Sequence, residues 1–401
     1  LLVMGILLRK IHGPHPPTSM IKLSIIFFIV SLSAAFIDTI WALYLKGFIQ
    51  DNSLIGFYSA LLSALAFVSS FMLVPFIEKR NKPALYSFCL FLTSLFFVAF
   101  ALNKNLILFF ILTITVTIVF TIRMITRAII IKDGSEKKTL SKNEGIVFSF
   151  NNIAWVLGPL IAAFILVELG ISYVFLFAAV LAFIAFLFFR MVDVKSHDGK
   201  IDGNALKILF EYFKNKDRIV IYLITTGVSF WWALIYLYIP LYMIENGFGK
   251  GTIGIFLFFI AIPLVFLEYP FSKISGEKGA RNFFLVAYAV MAGILLLLFF
   301  VQDIYWILGL LVFASVPMAM LEPTTEAYFF DIMKRKNDGH KFYGPYSTSL
   351  QIGFILGKIV PAIIILFLPF NYIFPIFGAF FLLLFFLSFF AKNIIEDGEK
   401  N

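Results

Sequence analysis

The chain has 401 residues, 61% of them hydrophobic and only 14% charged, with a mean hydropathy of +0.98. Its 53 Phe are far more than one water-soluble core could hide, so the composition excludes a soluble globular protein and points to a polytopic membrane protein. The net charge of +9 would suit a nucleic-acid binder, but its distribution along the chain serves membrane orientation, and no nucleic-acid partner is expected.

Residues 1–21 read as an N-terminal tail. Leu1 is not a Met, and Gly13-Pro14-His15-Pro16-Pro17 would interrupt any helix. Met20 stands directly before the first apolar run, so translation is expected to start at Met20 or at a non-Met start codon for Leu1. His12 and His15 read as tail residues, not metal ligands, and no metal or other cofactor is expected.

Twelve apolar runs follow, at about 22–46, 53–77, 84–102, 106–131, 144–167, 171–191, 219–246, 251–273, 281–301, 304–330, 342–368 and 371–392. They are continuously apolar where barrel strands would alternate, so they predict membrane helices. The expected fold class is all-α: a polytopic membrane protein with twelve transmembrane helices in two pseudo-symmetric six-helix halves around a central cavity. The halves are 22–191 and 219–392, joined by a central loop at 192–218 and followed by a tail at 393–401. Within the loop, Ala205-Leu-Lys-Ile-Leu-Phe-Glu-Tyr-Phe-Lys reads either as an amphipathic helix on the membrane surface or as a solvated linker helix. The single Cys89 lies in a span, so there is no disulfide framework.

Orientation follows from the basic residues. Of the 32 Lys and Arg, 26 fall in the termini and in the connections after even-numbered spans, and only Lys46, Lys104 and Lys250 fall on the opposite side. The positive-inside rule then places both termini and the central loop in the cytoplasm of a cell carrying the protein in its plasma membrane.

An internal repeat supports the division into halves. Trp41-Ala42-Leu43 echoes Trp232-Ala233-Leu234, Val74-Pro75-Phe76 echoes Tyr269-Pro270-Phe271, and Asn152 to Gly158 echoes Gln351 to Gly357. Arg123 and Arg127 near the end of span 4 take the i, i+4 spacing that Glu322 and Glu326 take in span 10, with opposite sign.

Ionisable groups inside spans are expensive and are functional candidates by default. The carboxylates are Asp38, Glu268, Glu322 and Glu326; no His lies in any span. Asp38 and Glu322 are the candidates for proton coupling. Arg123, Arg127, Glu322 and Glu326 are candidates for a gate that closes the cytoplasmic side; alternatively each is satisfied within its own half. Asp38, Asn152, Trp232, Tyr236, Gln351 and Lys358 are candidates for the substrate cavity, Lys358 as a counter-charge and the aromatics as stacking surfaces.

These residues resemble the major facilitator superfamily over residues 20–392. The connection Glu78-Lys79-Arg80-Asn81-Lys82-Pro83 looks like a shortened form of the family's Gly-x-x-x-Asp-x-x-Gly-Arg-Lys link between spans 2 and 3, without its glycine. Ser272 to Arg281 resembles the second-half counterpart. Gly158-Pro159 with Ala162-Ala163, and Asp38 in span 1, are similar to elements of the drug:proton antiporter branch. The resemblance implies a membrane transporter, not an enzyme, in which spans 4 and 10 face each other. The expected function is transport of a small molecule by alternating access, coupled to protons as export, by a monomer in the lipid bilayer. The alternatives are uptake of a nutrient or organic anion by symport or uniport, and, in a different class, lipid handling.

Overall fold

The computed structural model describes residues 18–133, 140–192, 194, 205–333 and 336–394. The tail at 1–17 with His12 and His15, residues 195–204 of the central loop, and the C-terminal residues 395–401 lie outside the described residues.

Among the described residues, twelve helices are long and apolar enough to cross a membrane. They are α1 (Thr18–Phe48), α2 (Asn52–Met72), α3 (Lys82–Leu102), α4 (Leu106–Asp133), α5 (Leu140–Glu168), α6 (Ile171–Met191), α7 (Lys216–Glu245), α8 (Lys250–Lys278), α9 (Ala280–Leu298), α10 (Ile304–Asp331), α11 (Lys336–Phe367) and α12 (Ile373–Ser388). Long apolar runs fold this way because only a helix satisfies its own backbone in hydrocarbon. The first-turn N–H groups still need acceptors. Asp51 supplies one to Leu54 at 2.8 Å, Asn81 to Ala84 at 2.9 Å, Asn215 to Asp217 at 2.9 Å and Asp303 to Tyr305 at 2.8 Å.

Two spans differ from the sequence expectation in form. The run at 53–77 breaks at Leu73, and Val74–Glu78 forms a separate short helix with Pro75 in its first turn. In α7 the five residues Leu234–Tyr238 widen into a π-turn before Pro240, as proline removes an N–H from the ladder there.

Packing repeats between the halves. In the first half α1 packs on α5, α3 on α6 and on α4, and α2 on α4; in the second half α7 packs on α11, α9 on α12 and on α10, and α8 on α10. Two glycines of the sequence repeat explain part of this symmetry. A Cβ on Gly158 would lie 2.4 Å from Ala35 Cβ, and one on Gly357 would lie 2.7 Å from Ala233 Cβ. Each glycine thus lets two backbones touch at the matched crossing. Between halves, α2 packs on α11 and α5 on α8.

The helix Ala205–Tyr212 docks on the bundle. Tyr212 is buried and its hydroxyl donates to the Arg218 carbonyl at 2.9 Å, while the Arg218 guanidinium lies 4.0 Å over the Phe342 ring. Lys341 donates to both carboxylate oxygens of Glu211, which holds that carboxyl below its usual range. Phe210 remains 70% exposed. The described part of the loop is therefore helical and fastened to α7 and α11 rather than standing free as a linker.

Candidate functional site

A cavity of about 490 Å³ lies at mid-depth between the halves. From the first half it is lined by Asp38 and Trp41 of α1, Ser59 and Ser63 of α2, and Asn152, Trp155 and Val156 of α5. The second half contributes chiefly Trp232 and Tyr236 of α7, Glu268 of α8, Glu322 of α10, and Phe354 and Lys358 of α11. Helical periodicity builds the wall. Asp38 and Trp41 are three apart, as are Asn152 and Trp155, and Phe354 and Lys358 are four apart, so each pair shares one helix face.

The polar groups of the cavity are tied across helices. Lys358 Nζ donates to Ser63 Oγ at 2.8 Å and lies 5.3 Å from the Phe354 ring centroid. Asn152 Nδ2 donates to Glu268 Oε2 at 3.0 Å, and Trp232 Nε1 donates to Glu322 Oε1. Glu268 of α8 and Glu322 of α10 thus face the same cavity from two helices packed on each other. Asp38 sits deep in the molecule, yet its side chain is exposed to the cavity, with Lys358 and Arg123 as the cations that act on it. None of the three ion pairs among the described residues lies in the cavity, so Asp38 and Lys358 do not approach within 4.0 Å. The aromatic wall is continuous: Trp155 meets Tyr236 at 5.9 Å between ring centroids, and Trp232 meets Tyr236 at 5.4 Å.

Five polar links join the halves among the described residues. Lys46 approaches Glu245 at 3.6 Å, and Asn52 donates to Glu245 at 2.7 Å. Ser53 donates to the Ala362 carbonyl at 2.6 Å. The other two are the Ser63–Lys358 and Asn152–Glu268 bonds at mid-depth. The first three lie near the connections that follow α1, α7 and α11, here termed the outer end. Close packing adds to them: a Cβ on Gly56 would lie 2.2 Å from Tyr238 Oη and 2.7 Å from Ala362 Cβ, and one on Gly254 would lie 2.5 Å from the Pro159 carbonyl oxygen. At the inner end, which carries the start of α1 and the end of α12, no polar link joins the halves among the described residues. The cavity is thus shut at the outer end.

The structure brings Asp38, Asn152, Trp232, Tyr236, Glu322 and Lys358 together in one cavity and leaves out Gln351. Gln351 lies two turns toward the inner end from Lys358, about 10 Å at 1.5 Å per residue. The four gate candidates are not apposed in this conformation. Arg123 is buried in its own half, donates to Thr93 Oγ1 at 3.3 Å and lies 4.4 Å from the Phe120 ring centroid. Arg127 lies 4.8 Å from the Phe27 ring centroid. Glu326 accepts from Tyr343 Oη at 2.7 Å. Cation–π contact and tyrosine donors supply within each half what an ion pair between halves would have supplied.

Trp155, Ser63 and Phe354 line the cavity without any mark in the sequence that assigns them there; Trp41 lines it too, and Glu268 stands out in the sequence only as a carboxylate within a span. Trp41 could have been found, since it is the repeat partner of Trp232. Nothing in the spacing of α8 and α10 signals that Glu268 and Glu322 line one cavity.

The sequence profile of the Major Facilitator Superfamily matches residues 23–340 and 221–400. The comparison with curated protein sequences gives no match. Among solved structures, the nucleoside transporter NupG superposes with a TM-score of 0.73 at 13% identity, covering 94% of this chain and all of that one. A bacterial homologue of the human lysosomal transporter Spinster, in an inward-facing and unoccupied conformation, superposes with a TM-score of 0.71 at 13% identity, covering 94% of this chain and 97% of that one. At such identity these neighbours speak for the fold.

Proposed function

Because the chain belongs to the Major Facilitator Superfamily, whose members are transporters and not enzymes, we propose that it exports a small molecule from the cytoplasm in exchange for protons. Secondary transport by alternating access is what the family and the fold support. The coupling and the direction are our reading. The observation that carries it is the cavity's ionisable set: three carboxyl side chains, Asp38, Glu268 and Glu322, face a single Lys358 at mid-depth. A carboxyl group that water reaches from only one side at a time can take a proton at one face and release it at the other.

Uptake of an organic anion is less well supported. That reading leaned on Arg123, Arg127 and Lys358 as cavity cations, and of these only Lys358 lines the cavity. Lipid handling would call for a groove open to the bilayer, and the site is a central cavity between the halves. The substrate and protons remain the proposed partners, acting on a single chain in the membrane. Both termini are placed in the cytoplasm on the asymmetry of basic residues, so a reporter domain fused after Asn401 is expected to report from the cytoplasmic side and one fused after Asp51 from the other.

The test is transport in proteoliposomes with and without an imposed pH gradient, for a panel of organic cations, anions and neutral solutes. A solute whose movement follows the proton gradient is expected. In Asp38→Asn, which keeps the shape of the side chain and removes its charge, gradient-driven movement is expected to fall to the level of protein-free liposomes. Transport with unchanged pH dependence in Asp38→Asn would remove Asp38 from the coupling role. Movement of anions alone, indifferent to pH, would overturn the proposal.

A further inference from the structure

Away from the cavity, the helix Ala205–Tyr212 presents a face that transport through the bundle does not use. Its inward side is occupied. Ile208 is half-buried, and Tyr212 is buried with its ring 6.1 Å from that of Phe342. Its outward side carries Lys207, Phe210 and Lys214, spaced i, i+3 and i+7 and all exposed. Phe210 is 70% exposed and Phe213, beside Lys214, is 38% exposed. Large rings and lysines on one side of a short helix suit a bilayer surface, where the rings enter the acyl boundary and the ammonium groups stay among the headgroups.

The charges of this segment are sorted in the same sense. Between Ala205 and Arg218 stand two acids, Glu211 and Asp217, and both are neutralised from elsewhere in the chain. Lys341 holds Glu211 at 2.7 Å, and Lys392 holds Asp217. The Arg218 guanidinium is turned onto the Phe342 ring. Lys207, Lys214 and Lys216 take part in none of the three ion pairs among the described residues, and all three are exposed. The outward face is therefore cationic, with no acid of its own segment left to balance it.

Depth along α7 decides what meets that face. The Phe213 ring lies 5.0 Å from the Tyr222 ring. Tyr222 is six residues beyond Lys216, the first residue of α7, or about 9 Å along the helix axis. Its neighbour Leu223 is 41% exposed on the outside of this membrane span. Phe213 thus sits beside the first turns of a span, where the surroundings are bilayer and not water. In the orientation proposed above, the leaflet at this end is the one that carries the anionic lipids.

From this arrangement we infer that the outward face of the helix Ala205–Tyr212, through Lys207, Phe210, Lys214 and Lys216, docks on anionic phospholipid headgroups at the inner end. The inference goes beyond the transport reading and holds whichever solute is moved. The inward side ties the contact to α7 and α11 through Tyr212, Arg218 and Lys341. Those are the helices that bring Trp232, Tyr236, Phe354 and Lys358 to the cavity.

The test reads the environment of one side chain in the full-length protein. In a Cys89→Ala background, a nitroxide label on Phe210→Cys stands where the ring stood. The protein is placed in vesicles of phosphatidylcholine with or without phosphatidylglycerol. Spin relaxation then compares oxygen, which concentrates in lipid, with a nickel chelate confined to water. With phosphatidylglycerol present, the label is expected to be reached by oxygen and shielded from nickel. The docked population should fall about fivefold for each of Lys207→Gln, Lys214→Gln and Lys216→Gln. Raising the salt should act as these changes do, which gives the same answer without a variant if the combined change does not fold. Inorganic phosphate at constant ionic strength should alter nothing. A label open to nickel in both kinds of vesicle would overturn the docking and leave the face to a soluble partner. A label shielded equally in both would overturn the choice of anionic headgroups. A shift produced by inorganic phosphate in phosphatidylcholine alone would overturn it as well, since the face would then bind a free anion.

Discussion

At the outer end, Lys46 and Asn52 meet Glu245, Ser53 holds the Ala362 carbonyl, and Gly56 lets α2 close on Tyr238 and Ala362. At the inner end the charged side chains of α4 and α10 stay in their own halves, on Phe120, Phe27 and Tyr343. The outer contacts are short and local: a lysine and an amide on Glu245, hydroxyl to carbonyl, glycine to ring. The inner residues are long, charged and satisfied by soft contacts that cost little to exchange. A rocking transporter needs such a difference, because the end that is open must hold its charges without sealing them. One end is therefore held by fit, while the other has charges in reserve for closing.

The largest expected effect comes from spoiling the fit. In Gly56→Val the added atoms would collide with Tyr238 and Ala362, and overpacking of this kind costs about 1–3 kcal/mol. The cost falls on the outer-closed state alone. The population should shift toward the outer-open state by roughly 5- to 150-fold on the conversion of 1.4 kcal/mol per tenfold. Modification of a cysteine placed at Ser59, which lines the cavity, by an impermeant thiol reagent from the outer side should speed up accordingly. An unchanged rate would mean that Gly56 does not set the closure.

Next in size is the charge exchange at the inner end. If Arg127 and Glu326 pair across the halves when that end closes, Arg127→Glu and Glu326→Arg should each impair transport, and the double reversal should recover a good part of it. The coupling expected between sites of this kind is about 1–3 kcal/mol. A double-mutant cycle is the proper measure, since each single change also disturbs the Phe27 or Tyr343 contact seen here. A double variant no better than the worse single one would confine both charges to their own halves in every state.

The smallest effect belongs to Lys46 and Glu245. Their side chains are 21% and 44% exposed and 3.6 Å apart, so the pair contributes no more than about 1 kcal/mol. Lys46→Gln should raise outer accessibility by no more than about fivefold. A shift beyond tenfold would make this ion pair, and not the glycine contact, the main outer closure.

Much of the fold was legible in the sequence, because a membrane helix is written as one long apolar run and the lipid admits few alternatives. The run at 171–191 coincides with α6, and most ends differ by a few residues where caps such as Asn215 lie outside the apolar stretch. The repeat of Trp41 with Trp232 was readable, as both face the cavity. The π-turn in α7 was not, since its residues are as apolar as their neighbours. For the site, Asp38 and Lys358 stood out as lone charges in apolar sequence. That Glu268 shares the cavity with Glu322 did not, because it depends on how α8 rotates against α10. For the arginines, opposite signs at matched positions suggested a pair, while the structure satisfies Arg123 with a ring and a threonine hydroxyl that no charge pattern marks.

In alternating access, closure at the outer end and closure at the inner end exclude each other. It is tested most directly by distances between spin labels in a background where the buried Cys89 is replaced by Ala. One pair, Gln50→Cys with Asn246→Cys, spans the outer end, and the other, Arg80→Cys with Lys278→Cys, spans the inner end. Introducing Gly56→Val is expected to lengthen the outer distance and shorten the inner one in the same sample population. An outer distance that lengthens while the inner distance stays fixed or lengthens too would contradict it.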